Sequence, residues 1–162
     1  MCKHSAHKRK EPPKMQLRIW PPVWLTLMAG LAFLTDRLLP VLRLPESPFY
    51  LTGPIFWVPA LWIFWHAVQK FRRSHTPTHP FTRPRAFVVR GPYRQSRNPM
   101  YVVALMTMTG WCAVLGNLAT LPFIWALKVV LYRFVISGEE KLMEELFGES
   151  YRAYCQKVPR WV

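Results

Sequence analysis

The chain reads as an all-α integral membrane protein with about four transmembrane helices and a cytoplasmic C-terminal amphipathic helix. Three observations point there. Of 162 residues, 51% are hydrophobic, with 8 Trp, 10 Phe and 6 Tyr. The formal net charge is nevertheless +14. The two populations are also segregated, with apolar blocks nearly free of charge and basic segments between them, as bilayer spans and their flanks require. A disordered basic tail would lack the apolar residues.

Residues 1–19 form a basic arm, with Lys3, Lys8, Arg9, Lys10, Lys14 and Arg18 against Glu11. Pro12 and Pro13 argue against a continuous helix there. Cys2, His4 and His7 crowd the same tail but lack a partner pair at metal spacing, and Cys2, Cys112 and Cys155 form no CxxC pairing, so neither a metal site nor a disulfide framework is expected. Residues 20–162 read as one membrane domain. Its first block, 20–39, is interrupted only by Asp36 and Arg37. A signal peptide competes for this block, but no small-x-small cleavage site follows and the stretch is long for an h-region, so a retained span is expected.

The second block, 49–68, carries Pro54 and Pro59, which kink it or mark its entrance. The third and fourth, 100–115 and 118–136, are separated by Gly116-Asn117, a turn signal that predicts a tight helical hairpin. At ~1.5 Å per residue these blocks cross most of a ~30 Å hydrocarbon core. The loop 69–99 holds Lys70, Arg72, Arg73, Arg83, Arg85, Arg90, Arg94 and Arg97 and no acid. The positive-inside rule therefore places both termini and this loop in the cytoplasm. His66 reads as a packed or interfacial residue, and Pro77 and Pro80 deny His75 and His79 a shared helical face.

Within the basic loop, Gly91-Pro92-Tyr93 is a turn, and Arg97-Asn98-Pro99 sits at the entrance of the third span. Pro99 suits a first helical turn with Asn98 as N-cap. The helix N-terminus there favours an anionic group. After Ile136 the chain turns polar, and residues 138–160 predict an amphipathic helix. Five of the eight acids (Glu139, Glu140, Glu144, Glu145, Glu149) lie in it, on the same membrane side as the basic loop. Charge balancing explains that distribution; closure of loop and helix over a polar pocket at the ends of spans three and four explains it too.

Taken in order, Arg90-Gly91-Pro92-Tyr93, Ser96-Arg97-Asn98-Pro99-Met100-Tyr101, an apolar hairpin, Glu139-Glu140 and Phe147-Gly148-Glu149-Ser150-Tyr151-Arg152-Ala153-Tyr154 resemble the isoprenylcysteine carboxyl methyltransferase and phospholipid methyltransferase superfamily. Each piece alone is weak; the ordered set around a hairpin is specific and covers about residues 75–162. The resemblance implies an S-adenosylmethionine-dependent methyltransferase whose cofactor sits at the cytoplasmic ends of the last two spans. It implies catalytic roles for Arg97 and Glu140, and cofactor contacts from Gly91, Pro92, Tyr93, Arg97, Asn98, Tyr101, Glu139, Glu140 and Tyr151. Arg97, Asn98 and the helix N-terminus suit the carboxylate, the two glutamates suit amino or hydroxyl groups, and the tyrosines suit adenine or the sulfonium. Asn98 stands where many members have His, so no proton-transfer role of that His carries over.

The expected acceptor is lipophilic: isoprenylcysteine-carboxylate-like, phospholipid-like or a small thiol. An amine or thiol would have to lose a proton, and no base is evident in the sequence. The alternative is a non-enzymatic membrane scaffold or lipid-binding protein, for which Arg97→Lys would be tolerated. Nucleic acid is not an expected partner, because the basic residues lie on topology-setting loops without interleaved aromatic platforms.

Overall fold

The computed structural model describes residues 20–44, 51–73 and 89–161. The basic arm 1–19, the start of the second block and the 74–88 part of the basic loop, with His75 and His79, lie outside the described residues. Five helices follow one another: α1 (Pro21–Leu38), α2 (Gly53–Arg73), α3 (Pro99–Leu115), α4 (Pro122–Leu131) and α5 (Ser137–Lys157). A π-helical turn, Tyr132–Ile136, joins α4 to α5 without a break. The described residues are therefore all-helical, as four rods running alternately up and down.

Proline in the first turn opens α1, α2, α3 and α4, where its missing N–H costs nothing and its fixed φ suits the helix. Pro59 lies inside α2, which continues past the expected end at 68 to Arg73. α3 stops at Gly116, whose φ of 62° is left-handed and whose N–H reaches the carbonyls of Cys112 and Ala113. The turn expected at Gly116-Asn117 is there, but a 3-10 turn at Leu118–Thr120 follows, so α4 begins at Pro122. α4 packs more extensively on α1 than on α3. Among the described residues, one helical run, Leu118–Lys157, is long and apolar enough by length and composition to cross a membrane; α3 is a shorter apolar helix.

The most extensive helix pair is α2 against α3. Small residues permit it: a Cβ on Gly110 would lie 2.5 Å from Trp57 Nε1 and 3.1 Å from the Gly53 carbonyl oxygen. The Trp57 indole lies across Gly110 and donates to the Thr107 carbonyl (3.2 Å). α1 joins this pair through Trp111 Nε1, which donates to the Ala29 carbonyl (3.1 Å). Ala32, Met108, Cys112, Leu127 and Leu131 fill the space between.

At the end where α1 finishes and α3 turns into α4, a polar clamp ties three segments. Asp36, an interruption of the first apolar block, accepts from Arg43 Nε (3.0 Å) and Nη2 (2.5 Å) and from Asn117 Nδ2 (3.2 Å). Asn117 Nδ2 also donates to the Leu39 carbonyl, and its Oδ1 accepts from Ala119 N–H. The buried carboxylate is thus satisfied, as burial demands. His66 stays within α2, hydrogen-bonded to the Trp62 carbonyl and tilted on the Trp62 ring.

Removing one partner of a buried pair costs about 3–5 kcal/mol. The Arg43 side chain is 48% exposed against 3% for Asp36, so solvent screens the pair and Arg43→Ala is expected to lower the unfolding midpoint by less than loss of a fully buried partner would. Thermal unfolding in detergent measures this, with Arg43→Lys recovering part of the loss. An unchanged midpoint would mean that Asn117 alone satisfies Asp36.

Candidate functional site

The opposite end of the bundle gathers four segments: the Gly91–Arg94 turn, the start of α3, the start of α5 and the chain after α5. Gly91 has φ 68°, a left-handed conformation that glycine adopts freely. A Cβ there would lie 3.2 Å from the Lys70 side chain, so the turn rests on the end of α2. The Pro92 carbonyl accepts from the N–H groups of Gln95 and Ser96. Gly91 and Pro92 thus shape the backbone, and Tyr93, buried, projects from it.

Pro99 is the first residue of α3 and Asn98 its N-cap, yet the Asn98 side chain makes no capping bond. Ser96 Oγ instead accepts from Asn98 N–H (3.1 Å), and the Asn98 carbonyl accepts from Tyr101 and Val102. The Asn98 side-chain nitrogen Nδ2 is buried and finds no hydrogen-bond partner among the described residues, and the same holds for Arg97 Nε. Such atoms are costly unless something pairs with them.

The residues after α5 form a strap. The Pro159 carbonyl accepts from Arg97 N–H (2.9 Å), and the Arg160 carbonyl accepts from Ser96 Oγ (3.0 Å). The Arg160 side chain grips Glu140 through Nε (2.8 Å) and Nη2 (2.7 Å), the fork geometry that makes such pairs strong. Arg97 Nη1 lies 3.5 Å from Glu140 Oε1 and donates to Cys155 Sγ (2.7 Å). Glu140 therefore sits between two guanidinium groups, with Tyr151 near Cys155, Glu140 and Arg97.

Glu139 faces a different partner: Tyr101 OH donates to its Oε1 (2.8 Å). Desolvation raises its carboxyl from 4.5 to about 7, and the negative charge of Glu140 adds to this; the Tyr101 hydrogen bond opposes it but does not prevail. Tyr93 lies close enough to feel the charge on Glu139, and its carbonyl accepts from Tyr154 OH. Burial pushes the Tyr93 and Tyr151 hydroxyls well above their ordinary range and Tyr154 up to about 12, so all three stay neutral.

The structure thus brings Tyr93, Arg97, Asn98, Tyr101, Glu139, Glu140 and Tyr151 to one end of the bundle. Gly91 and Pro92 lie beneath them as the turn that carries Tyr93. Sequence reasoning missed Ser96, Cys155 and Arg160 as parts of this arrangement. No spacing in the chain pairs them, because Ser96 meets Arg160 and Arg97 meets Cys155 across more than 50 residues, and Arg160 meets Glu140 across 20. The C-terminal helix also differs from the expected 138–160. It begins without a break at Ser137, kinks at Gly148 (φ 51°, ψ −124°) and ends at Lys157.

A carboxyl whose folded pKa is raised stabilises the fold below its unfolded value and loses that contribution as pH rises through the folded one. For Glu139 the window runs from about pH 4.5 to about 7. The melting temperature should fall more across this window in the wild type than in Glu139→Gln. Parallel profiles for the two proteins would show that Glu139 is solvated.

Comparison with known proteins agrees with the motif order. A sequence model of the phospholipid methyltransferase family matches residues 49–150, well over half of the chain. An uncharacterised protein of Haemophilus influenzae is 36% identical over 63 residues, which is 39% of this chain and 100% of that relative. The chain belongs to the phospholipid methyltransferase family, a membrane-associated family of methyltransferases.

Proposed function

We propose that this protein is a four-span membrane enzyme that transfers a methyl group from S-adenosylmethionine to a lipophilic acceptor held at the membrane. The observation that carries the reading is a pair of buried donors with no partner among the described residues, Arg97 Nε and Asn98 Nδ2, with the Arg97 guanidinium beside Glu140. An amino-acid zwitterion fits that set: its carboxylate would take the donors and its ammonium would approach Glu140. Tyr93, Tyr101 and Tyr151 supply neutral rings for a sulfonium or an adenine.

S-adenosylmethionine supplies an electrophilic methyl on a sulfonium; the protein's part is to align and to exclude water. Arg97 and Glu140 would orient the bound amino-acid group. Glu139 would serve a further purpose: a carboxylate held near neutrality can take a proton from an acceptor that must lose one, such as an amine. That is the base the sequence did not offer. A carboxylate acceptor would not need it.

The exposed apolar surface supports four spans. Ile55, Val58, Leu61, Trp62 and Trp65 on α2 and Leu34 and Leu38 on α1 are all more than half exposed, a surface too apolar for a protein in water. Only 28% of the most apolar stretch within Leu118–Lys157 is buried, whereas the core helix of a soluble protein is mostly buried. With the basic loop 69–99, these features favour cytoplasmic termini and a membrane domain spanning 20–162.

Binding of S-adenosylmethionine and S-adenosylhomocysteine to detergent-purified protein tests the reading. Arg97→Ala and Glu140→Gln should each weaken binding about tenfold or more, with far-UV circular dichroism confirming a folded protein. Saturable binding retained in both would overturn the site. No binding by folded wild type would favour the scaffold reading.

A further inference from the structure

Lys128 lies inside the apolar run 118–136, one turn beyond Trp125 on the outer face of α4. A cation within a span is costly and persists where a partner or a water path meets it. Among the described residues, the Lys128 ammonium has no carboxylate or hydrogen-bond partner; it lies 5.6 Å from the centre of the Trp161 ring. Trp161 belongs to the strap, which brings a second cation to the same place. The Arg160 guanidinium sits 4.8 Å from the Tyr132 ring centre. Its Nε and Nη2 are held by Glu140, and its Nη1 carries no hydrogen bond among the described residues.

Trp125, Lys128, Val129, Tyr132, Arg160 and Trp161 line one open cleft of about 310 Å³. Leu121, Trp125, Lys128 and Tyr132 follow helical spacing, so they share a face of the helix. Leu121 and Trp125 are 49% and 70% exposed. The cleft therefore has a cationic, aromatic head and an apolar extension along α4. None of Arg97, Asn98, Tyr101 or Glu139 lines it; it touches the candidate methyl-transfer site only through Arg160.

We propose that this cleft holds the phosphate of an anionic membrane phospholipid, with an acyl chain laid along Leu121 and Trp125. Two cations facing one small volume complement a phosphate, and basic pockets beside helix ends at the cytoplasmic surface suit anionic head groups. Tyrosine and tryptophan at the rim suit the depth of the head groups. The inference rests on the reading that 118–136 spans the bilayer. It adds a lipid site to the proposed enzyme, and Arg160 links that site to Glu140.

Tryptophan quenching by brominated lipids tests it in the full-length protein reconstituted into vesicles. Brominated phosphatidylglycerol should quench more than brominated phosphatidylcholine. Lys128→Gln should weaken the relative affinity for phosphatidylglycerol about fivefold, the effect of one cation near a membrane surface. Trp161→Phe should shrink the quenched signal, while Lys128→Arg and the exposed control Lys141→Gln should keep the preference. A phosphatidylglycerol preference unchanged in Lys128→Gln would overturn the site and assign the preference to overall charge. Its removal by inorganic phosphate, but not by chloride at equal ionic strength, would overturn the lipid assignment in favour of a bare anion site. Absence of quenching by either lipid would instead overturn the membrane reading, and the site with it.

Discussion

The ion pair between Arg160 and Glu140 is the constraint on which the candidate-site end of this molecule depends. It fastens the last described residues of the chain to the first turns of α5. With the strap held there, the Pro159 and Arg160 carbonyls reach Arg97 N–H and Ser96 Oγ, and Ser96 Oγ in turn supports the backbone of Asn98. The entrance of α3 is thus positioned from outside, by residues some 60 positions later. A half-buried, bidentate pair suits this task, since its strength lies in geometry as much as in charge.

The two neighbouring carboxylates have been driven to opposite situations. Glu140 stands between Arg160 and Arg97, ion-paired with both. Glu139, one residue earlier, has a tyrosine hydroxyl for a partner and is desolvated until it holds a proton near neutrality. Adjacent residues on a helix point about 100° apart, so a single helical start can present both environments. In the methyl transfer proposed above, Glu140 would be the anchoring partner and Glu139 the proton acceptor.

The far end of the bundle is held by different means. There Asp36 satisfies itself through Arg43 and Asn117 and so ties α1 to the turn between α3 and α4. Between the two ends, α2 approaches α3 over Gly53 and Gly110, with Trp57 filling the space that absent side chains leave. Close approach over small residues is how helices associate where water supplies no hydrophobic drive between them.

Much of this was legible in the chain. The apolar blocks, Pro54 and Pro99 at helix entrances and Gly116 at the α3 terminus are local signals of where helices start and stop. The ordered motifs from Gly91 to Tyr154 also carried the family and the group of residues that meet at one end. Boundaries were less legible: the change of polarity at Ser137 reads as a break, yet the helix continues through a π turn, because backbone hydrogen bonding tolerates a change in side-chain polarity along one rod. What tertiary structure alone decided is pairing. Charge patterning leads to the expectation that acids and bases share one end of the bundle, but only folding selected Arg160 for Glu140, Tyr101 for Glu139 and Arg43 for Asp36. Each choice depends on distances across the bundle, and charge patterning along a chain does not contain those distances.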